Sequence, residues 1–134
     1  MAAVERRLPG RAVVLSRDAS LRERVRKLLT AHGFDAHEQQ VLDAGFWLDN
    51  LLRSIESASL VVADLSGDSP NVWYELGFAH ALRKPTILLV NRDAATRIPT
   101  DLEGQMFLPY RTADETGLEE ALNGALQRYG AGRL

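Results

Sequence analysis

The stretch from Ser57 to Val90 decides the fold of this chain and reads SASLVVADLSGDSPNVWYELGFAHALRKPTILLV. It contains two short apolar runs, Leu60 to Leu65 and Ile87 to Val90, and neither run alternates between polar and apolar residues. Such runs are typical of strands in a parallel sheet that is covered on both faces. The segment between them is therefore predicted to form the crossover helix of a β-α-β unit.

The crossover helix is predicted to run from about Pro70 to Arg83. Ser69 suits the N-cap, and Pro70 suits the first helical position, where its missing N–H costs nothing. The side chains predicted to follow one stripe at helical spacing are Val72, Leu76, Ala79 and Arg83, with the first three facing the sheet. This stripe anchors the helix on the sheet.

Two carboxylates in this unit are candidates for a functional role beyond packing. Asp64 stands where the first strand ends, and ligands of open α/β sheets bind at the carboxyl ends of the strands. Glu75 lies roughly 50° from the centre of the apolar stripe, and its side chain leans toward the start of the helix. We therefore expect Glu75 at the rim of the sheet crevice, partly desolvated and near Asp64.

The remaining segments continue the same alternation of strands and helices. Further strands are predicted at 12–15, at 34–37 on the sheet edge, and at 106–109. Further helices are predicted from Ser20 to Gly33, from about Asp43 to Ser57, and from Thr116 to Tyr129. The apolar stripes predicted to pack in the core are Leu21, Val25, Leu28 and Leu29 in the first, Leu48, Leu51, Leu52 and Ile55 in the second, and Leu118, Leu122, Ala125, Leu126 and Tyr129 in the last. Ser20 with Glu23, and Thr116 with Glu119, have the spacing of capping boxes. The polar segment 91–99 is a candidate loop over a site, and 100–104 a single helical turn.

This order predicts an α/β protein with a flavodoxin-like three-layer α/β/α sandwich. Its five-stranded parallel sheet is expected to have the order 2-1-3-4-5, with the switch point between strands one and three. We expect residues 1–10 to form a flexible leader, 11–130 a single domain and 131–134 a tail. The candidate ligand-binding residues that meet at the switch point are Ser16, Arg17, Asp18, Ser66, Ser69 and Asn71. The helix start there offers free N–H groups to a phosphate.

Composition narrows the class of protein. The chain has 134 residues, no cysteine and a formal net charge of −2, so disulfides and thiolate metal sites are excluded and no general attraction to nucleic acid is expected. Three histidines lack the spacing of metal ligands, and we assign no metal site. No apolar segment is long enough to span a membrane. We therefore expect a cytoplasmic protein without a nucleic-acid or membrane partner.

Three segments of the chain resemble the core of the predicted nucleotide-binding TIR-like proteins, which are related to nucleoside 2-deoxyribosyltransferases. These segments are ADLSG at 63–67, PNVWYELG at 70–77 and AHALRKP at 79–85. The first half, with SRD at 16–18, GFDA at 33–36 and GFW at 45–47, is also similar to a TIR domain. The resemblance covers about residues 12 to 126.

This resemblance implies N-glycosidic chemistry. It implies that Glu75 is the catalytic carboxylate, since a nearby anion stabilises an oxocarbenium-like ribosyl C1′ or bonds to it. Asp64 matches the second carboxylate, which would protonate the leaving base or hold the sugar hydroxyls. Ser69 and Asn71 would hold a phosphate or ribose, and Trp47, first a packing residue, could stack on a base. No cofactor is implied, because NAD or a nucleotide would be the substrate.

Several functions remain open from the sequence. The first is N-glycosidic cleavage, as hydrolase or ribosyltransferase, of NAD or a nucleotide. LSRD at 15–18 replaces the glycine-containing loop usual in deoxyribosyltransferases, which disfavours transfer between free nucleosides but leaves it as an alternative. A second class is a nucleotide-binding or TIR-type interaction module without turnover, and a homo-oligomer is expected in either case. A phosphoacceptor receiver with Asp64 as acceptor ranks last, because the only lysines are Lys27 and Lys84 and none ends strand five.

Overall fold

The computed structural model describes residues 8–36, 47–66, 69–94 and 107–132. In these ranges the chain forms strands β1 (Ala12–Leu15), β2 (Leu60–Asp64), β3 (Thr86–Asn91) and β4 (Phe107–Tyr110), and helices α1 (Ala19–Ala31), α2 (Trp47–Ser57), α3 (Pro70–Ala81) and α4 (Glu115–Gly130). The predicted unit of two buried strands joined by a helix is therefore confirmed as β2, α3 and β3. The predicted start of the second helix at residues 43–46, the loop residues 95–99, the turn at 100–104 and Met106 lie outside the described residues.

The sheet is parallel throughout, with the order β1-β2-β3-β4. The prediction of five strands is wrong for the described ranges, which contain four. At the expected edge position beside β1, the predicted strand at 34–37 is reduced to a single parallel bridge between Arg11 and Asp35, and His37 lies outside the described residues. Gly33, at φ +87°, and the charged Asp35 leave too few apolar residues for a longer strand.

Two hydrophobic clusters cover the two faces of the sheet. On one face α1 and α4 pack on Ala12, Leu60 and Val62, and on the other α2 and α3 pack on Leu15, Val61 and Ala63. Residues of one strand alternate between the clusters because successive side chains of a strand point to opposite faces. The result is an α/β fold with helices on both faces of a parallel sheet, which is consistent with the flavodoxin-like prediction.

The stripes predicted for the helices are largely confirmed. The predicted core residues of α1 and α3 that are buried are Leu21, Val25, Leu29, Val72, Leu76 and Ala79. All five predicted core residues of α4 are also buried: Leu118, Leu122, Ala125, Leu126 and Tyr129. On α2, Ile55 is buried but Leu48 is 42% exposed. The predicted stripe residues that are only half-buried are Leu28 on α1 and Leu51 and Leu52 on α2.

The N-cap residues predicted for α1 and α4 are wrong in the same way. Asp18, not Ser20, caps α1, and its carboxylate accepts hydrogen bonds from Ser20 N and Leu21 N. Asp114, not Thr116, caps α4 and accepts from Gly117 N. Aspartate and the hydroxyl residues are comparable N-caps, so an aspartate two residues earlier takes the role.

Helix α3 begins at Pro70 as predicted but ends at Ala81, before Arg83. Arg83 has φ +55°, a left-handed conformation that cannot continue a helix. Ser69 is the N-cap residue, but its side chain makes no capping hydrogen bond. In the part of the chain that the structure describes, no helix has the length and apolar character that would cross a membrane.

Candidate functional site

The carboxyl ends of the strands are joined by a buried polar network centred on Asp64. Ser16 Oγ, after β1, donates to Asp64 Oδ2 at 3.1 Å, and Tyr110 Oη, at the end of β4, donates to Asp64 Oδ1 at 3.1 Å. Ser66 N also donates to Asp64 Oδ1, at 3.1 Å. Three donors compensate the burial of this carboxylate, which is 6% exposed.

Ser66 extends the network to the remaining strand. Its Oγ accepts a hydrogen bond of 2.7 Å from Asn91 N, at the end of β3, and lies 3.3 Å from Tyr110 Oη. Burial raises the pKa of Tyr110 to about 12. The phenol is therefore protonated at neutral pH and able to donate to Asp64. The network fixes the relative positions of the four strand ends.

Tyr110→Phe tests this network. We expect the variant to lose about 2 kcal/mol of unfolding free energy, because a buried carboxylate loses one of its donors. Urea denaturation measures the loss, with Tyr74→Phe as the matched control, since Tyr74 is 61% exposed. Equal stability of the two variants would show that the phenol contributes nothing to holding Asp64.

A cleft of about 480 Å³ opens at the edge of the sheet beside β1. Its floor is β1 with Ser16 and Arg17, and its walls come from three helices. The polar and charged wall residues are Arg22 and Arg26 from α1, Asn50 and Ser54 from α2, and Asn71 and Glu75 from α3. Pockets of this size hold small-molecule ligands.

Glu75 is the carboxylate in the described lining of this cleft. It is only 8% exposed, as its helical position predicted, and burial raises its pKa from 4.5 to about 7, although the charge of Arg17 lowers the pKa in part. Close to neutral pH, Glu75 is thus present in both its protonated and its ionised form. Carboxylates perturbed in this way, in a cleft and beside a cation, are concentrated at functional sites.

The other charged residues in the described lining of the cleft are cationic. Arg11, Arg17, Arg22 and Arg26 all border it, while Glu75 is the acidic residue that the described lining includes. Arg22 is held in place, because its Nη1 donates to the carbonyl oxygen of Ser16 at 2.8 Å. A cleft with this balance of charge favours an anionic ligand.

The structure brings together only some of the predicted site residues. Ser16, Arg17, Asn71 and Glu75 line the cleft. Asp64 is linked to it through Ser16 and does not itself belong to the lining. Three predicted binding residues are not part of the described lining: Asp18, which caps α1, Ser66, which joins the strand ends, and Ser69, which is buried at the start of α3. The side chain of Trp47, the first residue of α2, lies outside the described part.

Sequence reasoning missed three features of the site. Tyr110 directly follows the predicted last strand, but its contact with Asp64 joins residues 46 positions apart. Arg22 and Arg26 stand four residues apart on α1, a spacing that places them on one face of a helix and that could have been noticed. Asn50 and Ser54 have the same spacing on α2, where Ser54 Oγ donates to the carbonyl of Asn50. Across the described ranges, no group of three or more His, Cys, Asp or Glu residues is arranged to hold a metal ion.

Together the fold and cleft define an α/β protein with a parallel sheet and a ligand-sized cleft at its edge. The chain resembles the solved structure of the CMP N-glycosidase BcmB from Clostridium botulinum, with a TM-score of 0.66, 19% identity, and coverage of 84% of this chain and 98% of that chain. It also resembles a Burkholderia pseudomallei protein described as related to pilus assembly, with a TM-score of 0.51, 13% identity, and coverage of 92% and 90% of the two chains. No protein-family model and no curated protein sequence matches it. At these sequence identities, the similarity shows that the folds are alike and shows nothing further.

Proposed function

We propose that this protein cleaves the N-glycosidic bond of a nucleotide, with Glu75 as the catalytic carboxylate. The observation that carries the proposal is a buried carboxylate with a pKa of about 7 in a cleft whose other charged residues, in the described lining, are arginines. The similarity in fold to a CMP N-glycosidase supports the same reaction class. The arginines favour a phosphorylated substrate over a free nucleoside.

Cleavage requires stabilisation of positive charge at the ribosyl C1′. As the bond from C1′ to the base nitrogen breaks, its electron pair leaves with the base and C1′ becomes oxocarbenium-like. Ionised Glu75 stabilises this centre or bonds to it, and a water molecule then supplies the hydroxyl of C1′. The proton of that water ends on the base nitrogen. The products are the free base and a ribose phosphate.

The groups around Glu75 fit this role. Arg17 favours the ionised form of Glu75, which is the form that the reaction uses. Asp64 acts indirectly in this proposal, because its hydrogen bond orients Ser16 at the floor of the cleft. Asn71, Asn50 and Ser54 supply polar side chains for the ribose and the base.

A substrate panel tests the proposal. The wild-type protein is incubated with CMP, UMP, AMP, GMP, their four matching ribonucleosides, deoxycytidine and NAD, and free base is measured by chromatography. We expect release from at least one nucleoside monophosphate and slower release from the matching nucleoside. Release from NAD alone would move the substrate to dinucleotides, and release from none of the compounds would contradict the enzyme proposal.

The pH dependence follows from the pKa of Glu75. Because the ionised carboxylate is the active form, kcat/KM is expected to rise about tenfold per pH unit below about 7 and to level off above it. The second pKa of a substrate phosphate lies near 6, so the profile is repeated with the phosphate methyl ester, which keeps a single charge over this range. A rate that falls as pH increases through 7 would instead identify protonated Glu75 as a general acid.

A further inference from the structure

The arginines of the cleft fall into two groups with different surroundings. Arg17, at the end of β1, is the cation whose charge acts on Glu75. Arg22 and Arg26 stand on α1, which packs on one face of the sheet, whereas α3 with Glu75 packs on the opposite face. These two arginines thus approach the cleft from the wall across from the carboxylate.

Arg22 and Arg26 are suited to hold one anion between them. Residues four apart on a helix have neighbouring side chains, so two guanidinium groups at this spacing can bind the same anion. Arg22 is fixed by its hydrogen bond to the Ser16 carbonyl, and the Arg26 side chain is 22% exposed, with Nη2 3.5 Å from Glu23 Oε2. Guanidinium forks match the geometry of phosphate oxygens.

We propose that the α1 pair Arg22 and Arg26 is the phosphate subsite of this cleft and selects nucleoside 5′-monophosphates over nucleosides. This proposal rests on the proposed function for the class of ligand. It differs from the position expected from sequence, where Ser69 and Asn71 at the start of α3 would hold the phosphate. Ser69 is not part of the described cleft lining, and Pro70 has no N–H to donate.

The placement also separates the two negative charges of the complex. A phosphate at the α3 side would lie on the same wall as Glu75, and like charges at short distance repel. In a nucleotide the phosphate is attached through C5′, across the ribose ring from C1′. With the phosphate on α1, C1′ is directed toward Glu75 and the base toward Asn50 and Ser54 on α2.

Ligand binding in the Glu75→Gln background, where turnover is removed, tests the subsite. By isothermal titration we expect CMP to bind at least about tenfold more tightly than cytidine, because a charged pair contributes binding energy of that order. Arg26→Ala and Arg22→Ala are each expected to weaken CMP binding about tenfold while leaving cytidine binding unchanged. Lys27→Ala, which removes an exposed charge from the same helix, is the matched control and should bind CMP normally.

Two results would overturn the proposal. One is equal binding of CMP and cytidine, and the other is normal CMP binding by the folded Arg26→Ala variant, with folding checked by circular dichroism. Arg26→Ala decides the question if Arg22→Ala fails to fold, since Arg22 also holds the Ser16 carbonyl. If the wild type releases no base while the arginine-dependent preference for CMP persists, the subsite stands and the glycosidase proposal fails.

Discussion

Glu75→Gln is expected to lower the rate of base release by about 10³-fold, because the variant keeps the shape of the side chain but removes the anion that stabilises C1′. KM for the nucleotide should change little, since the arginines that attract the phosphate are retained. Initial rates of base release at saturating substrate measure the effect.

Glu56→Gln provides the matched control for this experiment. Glu56 is an exposed carboxylate near the end of α2 and does not belong to the described lining of the cleft. The Glu56→Gln variant should keep the wild-type rate. The lower rate of Glu75→Gln can then be assigned to the position of Glu75 in the cleft rather than to the loss of one negative charge. Equal rates for wild type and Glu75→Gln would remove Glu75 from the chemistry.

The second large effect concerns stability. Because the pKa of Glu75 is about 7 in the folded protein against 4.5 for an unperturbed group, the folded state binds the proton more tightly than the unfolded state. The wild type should therefore lose stability as pH rises between these two values, and the loss is complete above about 7. Relative to Glu75→Gln, the wild type is expected to lose roughly 2 to 3 kcal/mol of unfolding free energy between pH 5 and pH 8.

Urea denaturation of both proteins at the two pH values measures this difference. Because the two proteins share all other titrating groups, the effect of those groups on stability cancels in the comparison. The titration of the Glu75 carboxyl carbon, followed by ¹³C NMR, supplies an independent value of the pKa. A stability difference that does not change between pH 5 and pH 8 would show that Glu75 ionises at its ordinary pKa.

These two predictions together describe a conflict between stability and function at one residue. Burial of Glu75 destabilises the folded protein at neutral pH, yet it also places the carboxylate where water is largely excluded. Active-site residues commonly lower the stability of the folded protein in this way. We expect Glu75→Gln to be the more stable and the less active protein above pH 7.

The main elements of the fold were predictable because they depend on local patterns. Helix α3 and strands β2 and β3 follow from uninterrupted apolar runs and from helical spacing, and the burial of Glu75 follows from its angle to the stripe. The errors in the helix starts arose where two local signals compete. Asp18 and Asp114 each precede a hydroxyl residue by two positions, and propensity alone does not decide which residue caps the helix.

The site was only partly predictable because its contacts are long-range. The strand topology correctly placed Ser16 beside Asp64, but it could not show that Tyr110 takes up the other oxygen of that carboxylate. Nor could it show that the edge of β1 leaves a cleft into which α1 directs Arg22 and Arg26. Such features depend on side-chain packing between elements that are distant in sequence.

The most direct test of the central claim uses ¹H NMR to follow CMP, UMP, AMP and GMP separately, each in one sample with the wild-type protein and in a second with Glu75→Gln. We expect the wild type to convert at least one of these nucleotides into equal amounts of free base and ribose 5-phosphate, and the variant to leave that nucleotide intact. Formation of both products at the same rate with the two proteins, or of neither product from any nucleotide with the wild type, would contradict the claim.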